Sequence, residues 1–296
     1  MKLGLNLSFA VKRWMKPEVL AAMCREIFDV NYVQFTWDLI DPWWPGDVRD
    51  EFAGQYARAF EKRGIEIGAT FGGLASYSYP QLLAPDPKMR DVSETFFKRA
   101  IDLTRAMGVK AVGTPIGGMD YADARDPETR AALYREALER IRRLAEYGRQ
   151  KGLDHMEIEV TPLITEFPHS PETSIRLMKD LEGSAIPVKL LIDWGHALFK
   201  PLLKEEADIS LWFKTCKDYI AAIHLQQTDG QWDRHWDFTN PDGTLTPEYI
   251  VEKTKEAGLE NIVSYLEVVT IFEDDDDHVL DGMKKSMELL RRACAS

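Results

Sequence analysis

Residues 190–196 read LLIDWGH, from Leu190 through Asp193 to His196. Three apolar residues climb a buried strand that then ends in a carboxylate, with an imidazole three residues further on. A buried carboxylate costs several kcal/mol unless a cation pairs with it. Asp193 therefore needs either a cationic neighbour or a metal ion, and the elements on both sides of the stretch decide which.

VKLLID is one of eight strand-like segments, with KLGLNLS, YVQFTW, IEIGATF, VKAVGTP, HMEIEV, YIAAIHL and IVSYLEV. Helical segments alternate with them, about Pro17–Phe28, EFAGQYARAFEKRG, Pro87–Met107, Pro127–Gln150, from Pro171, Ser210–Cys216, Pro247–Ala257 and Val279–Arg292. In the fourth, Leu133, Ala137, Leu138, Ile141, Leu144 and Ala145 make one apolar face at helical spacing. Four helices start with one device: Asp86-Pro87, Asp126-Pro127, Ser170-Pro171 and Thr246-Pro247. The cap oxygen satisfies an orphan amide, and proline occupies the first helical position, where its missing N–H is harmless.

Eight strand–helix units over 296 residues give a mean of 37 residues each. Strands joined through helices pair in parallel. Eight such units predict an α/β fold, a single closed (β/α)8 TIM barrel forming one domain over residues 1–296. A doubly wound open sheet is the alternative, and the lack of a glycine-rich phosphate loop after the first strand weakens it. The EDDDD run, Glu273–Asp277, reads as a solvated loop suited to a helix N-terminus.

The net charge of −12 disfavours polyanions, so no nucleic acid is expected as partner. No segment reaches the roughly 18 apolar residues of a membrane helix, so no membrane partner is expected either. The N-terminus does not read as a signal peptide. Cys24, Cys216 and Cys294 make no metal or redox spacing, and a cytoplasmic location is expected.

In a barrel, catalytic groups lie at the C-terminal ends of strands. Four consecutive strands end in residues a core would not choose: Glu159, Asp193, His224 and Glu267. Their separations are 34, 31 and 43 residues, one per unit. Each is expected at matching height on neighbouring strands. Three carboxylates and an imidazole repel or mispair there unless a cation sits among them. One divalent metal ion is expected, and an oxygen-rich set with one nitrogen suits Mn²⁺, Mg²⁺ or Co²⁺. His196, one turn past Asp193, is open to three readings: support for the ligands, a substrate contact or a ligand to a second metal.

MEIEV, DWGH, AIHL and YLEV, with LAPDPKMRDVSETFFKRAIDLTRAMGVKAVGTPIGG, occur in the order found in the xylose isomerase-like TIM barrels, and the chain resembles that group over nearly its whole length. The group includes sugar isomerases, epimerases of the D-tagatose 3-epimerase type and the abasic-site endonucleases. The resemblance implies that Glu159, Asp193, His224 and Glu267 hold one metal, that Glu159 and Glu267 are catalytic and move the proton, and that His196 touches substrate. The endonucleases carry a further Asp-x-His, and WDRHW supplies Asp233 and His235. They also use histidines from strands two and three, whereas the first histidine here is His155. Arg234 and His235 are therefore read as substrate-facing, with a structural loop role as the alternative.

Aromatic residues crowd the same strand ends: Trp37, Trp43, Trp44, Phe71, Trp194, Trp232 and Trp236. About half are expected to line a pocket, Trp37 and Trp194 among the substrate-binding residues. Lys12, Arg13 and Arg234 are the candidate phosphate contacts. Lower in the barrel, Glu157 and Lys189 share the inward faces of Glu159 and Asp193 and are expected to pair with each other or through water, as scaffold.

The expected activity is divalent-metal-dependent isomerisation or epimerisation of a small sugar of about four to six carbons, through a metal-stabilised enediolate with the glutamates as acid and base. The partner is a small sugar or sugar phosphate, a free sugar being slightly favoured, and a homo-oligomer is left open. The alternatives are dehydration of a keto-cyclitol, abasic-site cleavage and a non-catalytic sugar-binding barrel.

Overall fold

The computed structural model describes residues 1–78 and 81–296. Eight parallel strands close into one barrel in chain order, β1 (Lys2–Asn6), β2 (Tyr32–Thr36), β3 (Glu66–Phe71), β4 (Ala111–Thr114), β5 (His155–Glu159), β6 (Val188–Asp193), β7 (Ile220–Leu225) and β8 (Val263–Leu266). Closure is made by β1 and β8, paired from Lys2↔Val263 to Leu5↔Leu266. A membrane-crossing helix, long and apolar enough to span, does not occur among the described residues.

The proline-started helices form as their caps demand. Asp86 accepts from the Lys88 amide, Asp126 from Thr129 and Thr246 from Tyr249. Ser170 and Thr173 cap each other reciprocally. Short helices at Leu74–Tyr77, Tyr121–Arg125, Trp194–Ala197 and Lys200–Leu203 are additional to the eight long ones. They are too short for a helical period to show in sequence.

Inside the barrel, Phe71, Leu191, Ala222 and Tyr265 form an apolar plug beneath the strand ends. Gly68 is required there, because a Cβ would collide with the Tyr265 hydroxyl. The larger core lies between strands and helices.

Glu157 and Lys189 lie opposite each other in the ladder but make no direct ion pair among the described residues. Glu157 Oε1 is 3.0 Å from His155 Nε2, two residues back on its own strand. Lys189 is half-buried and donates to the Asp218 carbonyl at 3.4 Å. A flexible ammonium keeps some hydration this way, which burial against Glu157 would remove.

Arg13 is also accounted for. Its guanidinium donates to Thr270 Oγ1 and to the carbonyls of Ile271 and Asp274, and its Nε lies 2.9 Å from Asp276. It ties the loop after β1 to the loop after β8 and is not available to a phosphate.

Candidate metal centre and active site

Glu159 and Asp193 are the last residues of β5 and β6, and His224 is the fifth of six in β7. Glu267 follows β8 and continues its ladder, donating its N–H to the Leu225 carbonyl at 2.8 Å. Asp193 lies opposite His224, but Glu159 lies opposite Leu191 and His224 opposite Tyr265. Two ligand positions are thus staggered by two residues along the ladder. Strand tilt brings such positions to one level. All four side chains are buried, and one ligand atom of each lies within 4.8 Å of all the others.

His224 Nδ1 is 3.1 Å from Glu159 Oε1 and 2.8 Å from Glu267 Oε2. Asp193 Oδ1 accepts from the His196 amide and from Gln226 Nε2, both at 2.8 Å. Asp193 Oδ2 is buried without a hydrogen-bond partner. That orphaned oxygen, in a set of three carboxylates and one imidazole, fits a hard divalent cation. The glycine of DWGH is a packing requirement, since a Cβ at Gly195 would strike the Gln226 amide.

The electrostatics follow from burial and pairing. Burial pushes the His224 pKa down, but Glu267 and Glu159 outweigh it and hold it up at about 10. Burial raises Glu159 above the usual carboxylate range. It also opposes ionisation of Glu267, yet His224 and His235 hold that carboxyl below its usual value.

A second group of three adjoins the first. His196 Nε2 and His235 Nε2 lie 3.1 and 3.0 Å from the two oxygens of Asp233. His196 Nδ1 donates to the Val160 carbonyl at 2.8 Å, which sets the orientation of the ring. His235, at φ 47°, sits in the left-handed region, and its amide donates to Gln226 Oε1 at 2.6 Å. Gln226 therefore braces both groups. Burial opposes charging of His196, but Asp233 and Asp193 prevail and its pKa lies well above the ordinary value.

Glu159, Glu267, His196, Arg234 and His235 line one cavity of about 200 Å³, with Asp233, Ser8, Phe71 and Tyr77. Asp193 and His224 are fully buried and do not line it. Arg234 is held by Asp229 through Nε and Nη2 and lies over the Trp236 ring. Trp37 and Trp43 line an adjoining cavity of about 710 Å³ with Lys12 and Asp38. Trp194 lines neither: it is fully buried, edge-on to Phe213 and Tyr249, and serves as packing. Trp44 packs on Phe52, and Trp232 is exposed.

Several site residues carry no motif. Asn6 and Gln34 are amides inside strand-like segments and Gln226 directly follows one, where sequence offers nothing to separate them from other polar residues. Glu166 is 5% exposed in the loop after β5, and burial pushes its pKa up to about 7.

Residues 24–293 match the family model of the xylose isomerase-like TIM barrel. The chain belongs to that family. Within it, the D-erythrulose 1-phosphate 3-epimerase of Brucella abortus (strain 2308) is 25% identical over 265 residues, 86% of this chain and 84% of that one. A crystal structure from Rhodospirillum rubrum, provisionally described as a xylose isomerase, is 47% identical over 99% of both chains, with a TM-score of 0.97. The D-psicose 3-epimerase of Clostridium cellulolyticum shares the fold at a TM-score of 0.71 and 15% identity, over 99% of both chains. Epimerases are isomerases, so the relatives agree with the expected reaction class.

Proposed function

We propose that the protein is a divalent-metal-dependent epimerase of a short ketose phosphate, with Glu159 and Glu267 as its acid–base pair. The observation that carries this is the placement of the glutamates. They come from β5 and the end of β8, reach the same nitrogen of His224 and line one small cavity. A cation held by Glu159, Asp193, His224 and Glu267 would polarise a substrate carbonyl and lower the pKa of the adjacent C–H.

The side chains do the rest. One glutamate takes the proton from the carbon beside the carbonyl. The other returns a proton to the opposite face of that carbon, which inverts it. His196 presents Nε2 toward the same cavity, since Nδ1 is committed to Val160. Phe71 lies edge-on to the His224 ring at 4.9 Å and forms part of the cavity wall. The cavity is small beside the roughly 300–1,000 Å³ of drug-sized sites, which suits a short substrate.

A phosphorylated substrate is preferred to a free sugar because the Brucella relative acts on a four-carbon ketose phosphate. Arg234 is the guanidinium among the cationic groups lining the cavity, beside His196 and His235, and its Nη1 makes no hydrogen bond among the described residues. The unpaired cysteines suit a reducing cytoplasm.

The test is a screen of ketoses and their 1-phosphates, four to six carbons long, in deuterium oxide with Mn²⁺, Mg²⁺ or Co²⁺. Deuterium gained beside the carbonyl with a new epimer supports the reading. No exchange on any of them at saturating metal rejects it.

A further inference from the structure

We infer that Asn6 and Gln34 are positioning residues that dictate which nitrogen of His224 faces the ligand cluster. The inference rests on the metal centre proposed above. It starts from a backbone amide, which can only donate. The Ser8 N–H donates to Asn6 Oδ1 at 2.9 Å, and this fixes the Asn6 amide. Its Nδ2 then faces β2 and donates to Gln34 Oε1 at 2.8 Å. Gln34 must therefore present oxygen, not nitrogen, on that side.

The same oxygen lies 2.6 Å from His224 Nε2. An amide oxygen only accepts, so Nε2 carries the hydrogen. Nδ1 is left as the nitrogen that points at Glu159 and Glu267. Turning the Gln34 amide over would set its NH₂ against two donors at once. Asn6, Gln34 and His224 are 1%, 0% and 0% exposed, so no solvent substitutes for a lost partner. Three strands, β1, β2 and β7, thus pass one orientation from a main-chain N–H to the imidazole.

Residues that hold a ligand's second nitrogen typically change metal affinity by about 10- to 100-fold when lost. Asn6→Asp keeps the acceptor for Ser8 but places an oxygen against Gln34 Oε1, which favours the overturned amide. Mn²⁺ titration of the purified protein is expected to show at least roughly tenfold weaker binding for Asn6→Asp, and the same for Gln34→Leu. Gln34→Glu keeps an acceptor against both donors and is expected to keep the His224 hydrogen on Nε2. Histidine-selective ¹⁵N spectra with Zn²⁺ as a diamagnetic probe are expected to place the His224 hydrogen on Nε2 in the wild type. In Asn6→Asp that signature is expected to weaken, while the metal-free melting temperature reports on folding alone.

Two results overturn the relay: a wild-type hydrogen on Nδ1 with Zn²⁺ bound, or wild-type Mn²⁺ affinity in folded Asn6→Asp or Gln34→Leu. A wild-type protein that binds neither ion removes the metal centre itself, a different failure.

Discussion

His224 and Glu267 face each other from neighbouring strands, with Nδ1 and Oε2 2.8 Å apart and both side chains buried. Without metal this is an ion pair, and the imidazole stays protonated until pH about 10. A metal ligand must be neutral imidazole, so binding expels that proton. At neutral pH the proton is present and must leave. Apparent affinity should therefore rise with pH, by about tenfold per unit for one proton released, and level off above 10. Calorimetric titration with Mn²⁺ in two buffers of different ionisation enthalpy checks this. Equal heats in both would contradict it.

Glu159→Gln and Glu267→Gln keep the shape of the side chain and remove the base. General acid–base groups contribute about 10²- to 10⁴-fold in rate. Each variant should lose at least that much turnover at saturating metal. Asp193→Asn should instead act on metal affinity and recover partly with excess metal. Near-wild-type turnover in both Gln variants would move the acid–base role to another group, His196 first.

Glu166 offers a stability test in the metal-free protein. Burial holds its proton up to about pH 7, whereas an unfolded chain releases it near 4.5. The folded state thus binds the proton more tightly. Its contribution is full below 4.5 and declines as pH rises through 7. A gap of that size corresponds to roughly 3 kcal/mol between protonation states. Glu166→Gln should melt increasingly above the wild type as pH goes from 5 to 8. Parallel melting curves across that range would show that Glu166 does not titrate there.

Gly195→Ala tests the packing beneath the centre. Its new methyl displaces the Gln226 amide, which braces Asp193 and the His235 backbone. Overpacking costs about 1–3 kcal/mol. Lower melting temperature together with weaker Mn²⁺ binding is expected. Unchanged binding would separate Gln226 from the metal centre.

The barrel and its four strand-end ligand candidates were legible because both leave marks in one dimension. Alternating strand and helix periods imply parallel pairing, and a charged residue closing an apolar strand is conspicuous. Proline after a capping residue marked four helix starts. The bracing amides were not legible, because Gln34 and Gln226 gain meaning only from what lies across the barrel. Trp194 sits beside Asp193 in sequence, yet the short helix at 194–197 turns it to the outer layer. Lys189 shows the limit of face alternation: a long side chain chooses its partner by reach, and the Asp218 carbonyl is within it.

The closing pair of strands sets a timetable for the centre. Glu159, Asp193 and His224 leave the ribosome before Glu267, which is placed only when β8 docks between β7 and β1. With the ligand set proposed above, a nascent chain would offer an ion three of the four ligands, and metal selection would fall to the completed fold rather than to the emerging peptide.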